Sequence, residues 1–330
     1  MQDDYFPEPV PPARRRLRLP RLSLGLAGLW TGRALLALLI LIALYYVLGA
    51  LIVHRIDDDP AFAAPAAAGG GGSRAVAIAA ALLEREVDDH QWVANDPFFL
   101  PGAVLDNMPN YQQGIVAALS RFGIEMTDQI GRTRGSSQAD ADLDKAAGLL
   151  KYPGDIWLFD FSTSWAPTAS SEAQYRAARA ALVSYNQRLS GGSAVFERRA
   201  DNLLATLERI AADLGSASAV IDRHIVEEAG SPLDFEADDI FYRNKGRLYG
   251  YYLLLRELGV DFEKVIIDRD LALTWSQMLE TFEVAATMQP WVVLNGAPSS
   301  QFVPSHLAGQ GFYLLRARTQ LREVTNILLK

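Results

Sequence analysis

Cysteine is absent from the 330 residues. That excludes disulfides, thiolate zinc sites, cysteine nucleophiles and iron–sulfur clusters together. Histidine is scarce: His54, His90, His224 and His306 are scattered, and no His-Glu-x-x-His pair occurs. Basic charge is also short, with 31 Lys and Arg against 39 Asp and Glu, a net charge of −8. No strongly basic region offers itself to nucleic acid. The G-x-S-x-G, S-x-x-K and G-x-G-x-x-G patterns are missing, and no Lys follows the four glycines at 69–72 as a phosphate loop requires. What the chain does have is apolar mass. Half the residues are hydrophobic, with six Trp, 12 Tyr and 14 Phe, which excludes wholesale disorder.

The charge is segregated along the chain. Residues 1–33 carry Arg14, Arg15, Arg16, Arg18, Arg21 and Arg33 against Asp3, Asp4 and Glu8, a net +3. Residues 73–330 carry 24 basic and 33 acidic side chains. Between them, Ala34 to Val53 is a run of 20 residues without a charge. As a helix it is about 30 Å long, the thickness of the hydrocarbon core of a bilayer. Lys and Arg stay on the cytoplasmic side, so the expected topology is N-terminus in, C-terminal bulk out, in a bacterial inner membrane with a periplasmic domain. A cleaved signal peptide is the rival reading. Its apolar region is shorter, about 7–15 residues, although Ala61-Phe62-Ala63 is a usable cleavage site.

Four segments follow from this reading: a basic cytoplasmic tail at 1–33, a transmembrane helix with ends at Ala34 and Val53, a Pro/Ala/Gly linker at 54–73, and a periplasmic helical domain at 74–330. The linker contains PAFAAPAAAGGGGS, which has little to bury and reads as a plain tether.

Beyond Arg74 the periodicity is helical and the expected fold class is all-α. Helices are expected over Ala75–Val93, Pro109–Ile130, Ser137–Leu150, Asp239–Leu258 and Ser276–Met288, with a last one after Ser305. Ile156–Phe161 is the best strand candidate, or a buried connector. In Trp92–Gly102, Pro97 and Pro101 bracket Phe98, Phe99 and Leu100, and the loop is expected to bury itself under the domain, with a partner surface as the alternative. At 171–229 two heptad seams stand out: Tyr175, Ala178, Leu182, Tyr185, Leu189, and then Phe196, Ala200, Leu203, Leu207, Ile210, Leu214, Ala217, Ile221. With Gly191-Gly192-Ser193 between them they predict an antiparallel αα-hairpin of coiled-coil type.

Candidate sites are few. Gly246-x-x-x-Gly250, flanked by Tyr242 and Tyr249, predicts close helix packing or a Tyr-lined pocket. Asp88-Asp89-His90 reads as a solvated helix end and His224 as the polar end of a seam. No catalytic, cofactor-binding or metal-ligating residue is assigned, and no cofactor is expected.

Three stretches carry a resemblance: WVANDPFFLPGAVLDNMPNYQQGIVAAL, RADNLLATLERIAADLGSAS and DDIFYRNKGRLYGYYLLLRELGVDF. They resemble the bacterial family called domain of unknown function 2333, over about Ala34 to Lys330. The resemblance implies a membrane-anchored envelope protein and carries no known activity, cofactor or catalytic residue. The expected partners are the lipid bilayer and an envelope protein or a second copy of the chain. The expected role is interaction or scaffolding rather than catalysis. The alternatives are a cell-wall hydrolase, marked by a buried Glu in a cleft, and a ligand-binding sensor domain acting through a partner.

Overall fold

The computed structural model describes residues 26–65, 71–130, 139–159, 165–228, 234–297 and 300–330. Most of the basic tail, the middle of the 54–73 linker and the end of the strand candidate lie outside them. The chain forms two units, Met1–Tyr45 and Tyr46–Lys330. The described part of the first is helical throughout. It belongs to α1 (Leu26–Val53), of which Gly28–Val53 is long and apolar enough to cross a membrane. Almost none of that stretch is buried, and side chains such as Leu39 and Leu41 lie in the open.

The second unit is all-α, and its described residues contain no strand, only an isolated bridge between Asn295 and Ser305. After the last two turns of α1 come α2 (Arg74–Glu84), α3 (Asn107–Glu125), α4 (Ala141–Leu149), α5 (Ser171–Ser190), α6 (Ala200–Glu228), α7 (Glu236–Asp261), α8 (Glu263–Asp268), α9 (Ala272–Ala286) and α10 (His306–Leu328). Helices α2 and α3 each run on into a π-helical turn, Arg85–Asp89 and Met126–Ile130.

Helix α7 is the centre. It is buried over most of its surface, from Phe241 through Leu248, Tyr251 and Leu254 to Leu258, with a narrow polar row at Glu236, Asp239, Arg243 and Arg247 left toward solvent. It packs chiefly against α3, α9 and α2. Gly259 does not end it, and the helix runs on to Asp261. A Cβ at Gly259 would lie 2.6 Å from the Trp275 indole nitrogen, so the glycine serves a close approach rather than a stop.

The expected hairpin does not form. Both seams are buried, but each faces another element. Helix α5 packs on α2 and α4, and α6 packs on α10. The seam of α6, Leu203, Leu207, Ile210, Leu214 and Ile221, meets a matching row on α10 at Leu314, Ala317, Leu321 and Val324. The connection explains the outcome. It is nine residues long, 191–199, rather than three. Its Phe196 is buried against Phe262, 5.8 Å between ring centroids, and the Tyr185 hydroxyl donates to the Val195 carbonyl. A connector fixed in the core carries α6 away from α5.

Helix starts differ from expectation by up to four residues, α7 beginning at Glu236 rather than Asp239 and α9 at Ala272 rather than Ser276. Ser170 caps α5 with its hydroxyl, whereas Ser171 is fully buried and joins Ile156 and Pro153 to the helix start. Asp106, not Asn107, stands at the start of α3. Ser305 caps α10 by accepting from Ala308 N–H.

Residues 54–65 are not a free tether. Ile56, Phe62 and Ala64 pack against the core, and the backbone between them is held by buried side chains. The 92–102 segment is also split. Trp92 and Val93 are buried, while Phe98 and Phe99 point outward.

Candidate functional site

The densest concentration of chemistry in the second unit is where residues 57–62 lie on α2, α3 and α7. Asp57, Asp58 and Asp59 would be solvated in an extended linker. Here Lys245, 1% exposed, places its ammonium 2.6 Å from Asp58 Oδ2 and 2.6 Å from the Met288 carbonyl oxygen. Burial pushes the Lys245 pKa down, against the Asp58 carboxylate that favours its charge. Gln289 donates to both oxygens of the same carboxylate.

The backbone of the segment is held as firmly as its side chains. Tyr111 donates to the Asp57 carbonyl at 2.7 Å and Tyr249 to the Asp59 carbonyl at 2.8 Å. Arg256 holds the Pro60 and Phe62 carbonyls at 2.6 Å each. Arg85, in the π-helical turn after α2, donates to the Tyr249 hydroxyl and the Asp57 carbonyl and pairs with Glu86 at 2.8 Å. Its guanidinium stacks 4.4 Å from the Phe62 ring centre. Burial raises the Tyr111 phenol well above its ordinary range, so it stays a donor.

A second cluster ties the start of α2 to the end of α7. Ser73 caps α2, and Asp261 accepts from the Ser73 hydroxyl and from the free N–H groups of Arg74 and Ala75. Glu257 lies between Arg74 and Arg256, at 2.6 and 2.8 Å. Glu257 and Asp261 line a groove of about 490 Å³, the nearest thing to a cleft with a buried Glu. Their oxygens already accept from two guanidinium groups, a hydroxyl and two N–H groups. These bonds tie the start of α2 to the end of α7.

The sequence-marked glycines lie at the crossing of α7 and α3. A Cβ on Gly246 would come 2.0 Å from the Tyr111 carbonyl oxygen, and one on Gly114 would come 2.1 Å from that of Arg243. The two backbones therefore touch at both glycines. Gly250 has more room, with Ala118 Cβ at 3.1 Å. Tyr249 belongs to the buried junction. Tyr242 is half-buried and lines a groove with His54, Leu105 and Trp291.

The remaining candidates separate. Asp88 pairs with Arg176 and His90 lies near Glu86, so Asp88, Asp89 and His90 do not converge. His224, buried, bonds Asp234, which also accepts from Asn295 and from the N–H of Ala237, joining the end of α6 to the start of α7. Asp106, Asp238 and Asp239 bring carboxylate oxygens within 4.8 Å of one another, a donor set that suits a hard cation. Asp239 is already bonded by Asn110. Burial first, then Asp106 and Asp238, push its pKa up to about 6.

Sequence reasoning missed Asp57–Asp59, Arg85, Lys245 and Gly114. Arg85 stands between Glu84 and Glu86, and Lys245 between Asn244 and Gly246 with Arg243 and Arg247 close by, so both read locally as members of a solvated polar stretch and gave no signal of burial.

No curated protein and no solved structure matches the chain. A family model described as "Uncharacterized protein conserved in bacteria (DUF2333)" matches residues 67–229 and 228–330 but not the apolar helix before them, and the chain belongs to that family.

Proposed function

We propose that the protein is an uncleaved, single-pass inner-membrane protein with its N-terminus in the cytoplasm and its helical domain in the periplasm. That domain serves as a non-enzymatic interaction or scaffold module of the envelope. The observation that carries the uncleaved reading is the docked segment 57–62. Cleavage after Ala63 would remove Asp58 from Lys245, the Asp57 and Asp59 carbonyls from Arg85, Tyr111 and Tyr249, and the Pro60 and Phe62 carbonyls from Arg256. Lys245 would lose its counter-charge and Tyr111 its acceptor, each a penalty of about 1–3 kcal/mol, and Arg85, Tyr249 and Arg256 would each lose one of their partners. A signal peptide is discarded without harm to the domain, and this segment is part of it.

Two further observations support the orientation and the role. The arginines, Arg14 to Arg33, precede the uncharged run that begins at Ala34, and only His54 and Arg55 follow it before three acids. The buried carboxylates Glu86 and Glu257 are matched by arginines rather than exposed to a ligand, which favours a scaffold over a hydrolase.

Crosslinking in living cells, followed by identification of the products, tests the role. A discrete product containing an envelope protein or a second copy of the chain is expected. Release of soluble fragments from purified cell wall by the purified full chain, abolished by Glu257→Gln, would replace the scaffold reading with the hydrolase.

A further inference from the structure

Two loops of the second unit turn apolar side chains outward beside the last two turns of α1. In the first, Phe98 is 84% exposed, with Phe99 and Leu105 about half exposed. In the second, Trp291 is fully exposed and Val292 and Phe302 are largely so. Phe99 sets its ring edge against Trp157, but Phe98, Trp291 and Phe302 are left to solvent, and exposed aromatic surface of this kind marks an interaction site.

The position of the loops says which partner. The Tyr46 hydroxyl, on α1, donates to the Phe98 carbonyl at 3.0 Å. Pro101 fills the space over Gly49, and Ala50 is buried. Leu105 and Trp291 line one groove of about 410 Å³ together with His54, the residue next to the end of α1. The exposed loops therefore continue the open apolar surface of α1 itself, where Val47, Leu48, Leu51 and Ile52 are each more than half exposed.

Charge near the loops is only partly matched. Of the acids that follow α1, which would repel anionic lipid phosphates, Asp58 is turned inward onto Lys245 and Asp57 lies 3.4 Å from Arg85, while Asp59, and Asp106 in the first loop, stay exposed. The most exposed large side chains of the two loops are Trp291, Phe302 and Phe98, the aromatic enrichment of a membrane–water interface.

We propose that these two loops form a lipid-facing platform that enters the headgroup region of the leaflet from which α1 emerges. The domain then lies against the bilayer instead of hanging from it. The proposal rests on the reading of α1 as a membrane span, and its occupant is the lipid surface rather than a protein.

Because the chain has no cysteine, single-site labelling tests it directly. Phe98→Cys, Trp291→Cys and Phe302→Cys, each carrying an environment-sensitive fluorophore, are placed in the full chain. The protein is reconstituted into phosphatidylethanolamine–phosphatidylglycerol vesicles, with and without brominated lipid. Leu39→Cys, in α1, is the lipid control. Leu329→Cys, at the far end of the 23-residue α10, is the aqueous control. Blue-shifted emission, quenched by brominated lipid, is expected at 98, 291 and 302, as at 39, and not at 329. If 39 responds to lipid while the three loop positions behave like 329, the platform is overturned and the anchor stands; a protein-docking patch gives this result. If 39 also behaves like 329, the membrane reading itself falls.

Discussion

The Lys245 ammonium and the Asp58 carboxylate, 2.6 Å apart, join the middle of the central helix to a segment more than 180 residues earlier in the chain. The lysine side chain is 1% exposed and the aspartate 12%, so the pair works at reduced dielectric and the lysine has no water to fall back on. It is the ionic centre of the junction that makes residues 57–62 part of the domain.

Removing one member of that pair should be worse than removing both. Lys245→Met or Asp58→Asn alone leaves a buried group unmatched and should cost about 3–5 kcal/mol. The double variant should cost clearly less than the sum, with a coupling energy within about 0.5–3 kcal/mol. Denaturant melts of the detergent-solubilised full chain measure all three. Additive losses would mean that the two side chains do not interact.

The glycines of α3, α6 and α7 should respond to alanine in a fixed order. At Gly246 the added methyl meets the Tyr111 backbone, which cannot move aside, so Ala should cost about 1–3 kcal/mol or more. Gly114 should behave likewise. At Gly250 the contact at 3.1 Å is with a methyl group, and the gain of about 1 kcal/mol in helix propensity offsets much of the crowding. At Gly215 the methyl meets the end of the flexible Arg318 side chain, so Ala should be neutral or stabilising by up to about 1 kcal/mol. Urea midpoints of the four variants check the order.

Leu207 and Leu214 are both fully buried where α6 meets α10. Leu→Asp at either should cost about 3–5 kcal/mol, because a carboxylate is placed in a dry seam with no partner. An unchanged thermal midpoint would contradict the packing of α6 on α10.

Asp239 sets a pH dependence. Its pKa is raised from 3.8 to about 6 by burial and by Asp106 and Asp238, with Arg243 and Asn110 acting the other way. Between those two pH values the folded protein keeps a proton that the unfolded chain has lost, so the contribution of Asp239 falls as pH rises through the window. Asp239→Asn should therefore stabilise the protein at pH 7, by under about 1 kcal/mol after solvent screening, and the gain should vanish below about pH 4. Melts of both proteins at pH 4 and pH 7 give the comparison. A gain that grows toward low pH would reverse the sign.

The individual helices were legible because their signals are local. The seams of α5 and α6, the Ser305 cap and the uncharged run at 34–53 each depend on residues within a few turns of one another. Pairing was not legible. A seam does not say which apolar row it will meet, and here the connector directs α6 away, through Phe196 on the distant Phe262 and Val195 on the Tyr185 hydroxyl. The glycines of α7 were visible as a pattern, but Gly114, which completes the crossing on α3, has no partner at helical spacing to mark it. The junction was hidden for the same reason. Asp-Asp-Asp-Pro followed by alanines has the composition of a tether, and only the distant Lys245, Arg85 and Arg256 make it a buried strap.

The central claim is that the apolar helix stays attached and that the domain lies outside the cytoplasm. Alkaline phosphatase, active only after export, fused behind Lys330 of the full chain and followed by fractionation, tests both halves at once. The account predicts active phosphatase at full length in the membrane pellet. An inactive fusion, or an active one released in soluble form with its N-terminus near Ala64, would contradict it.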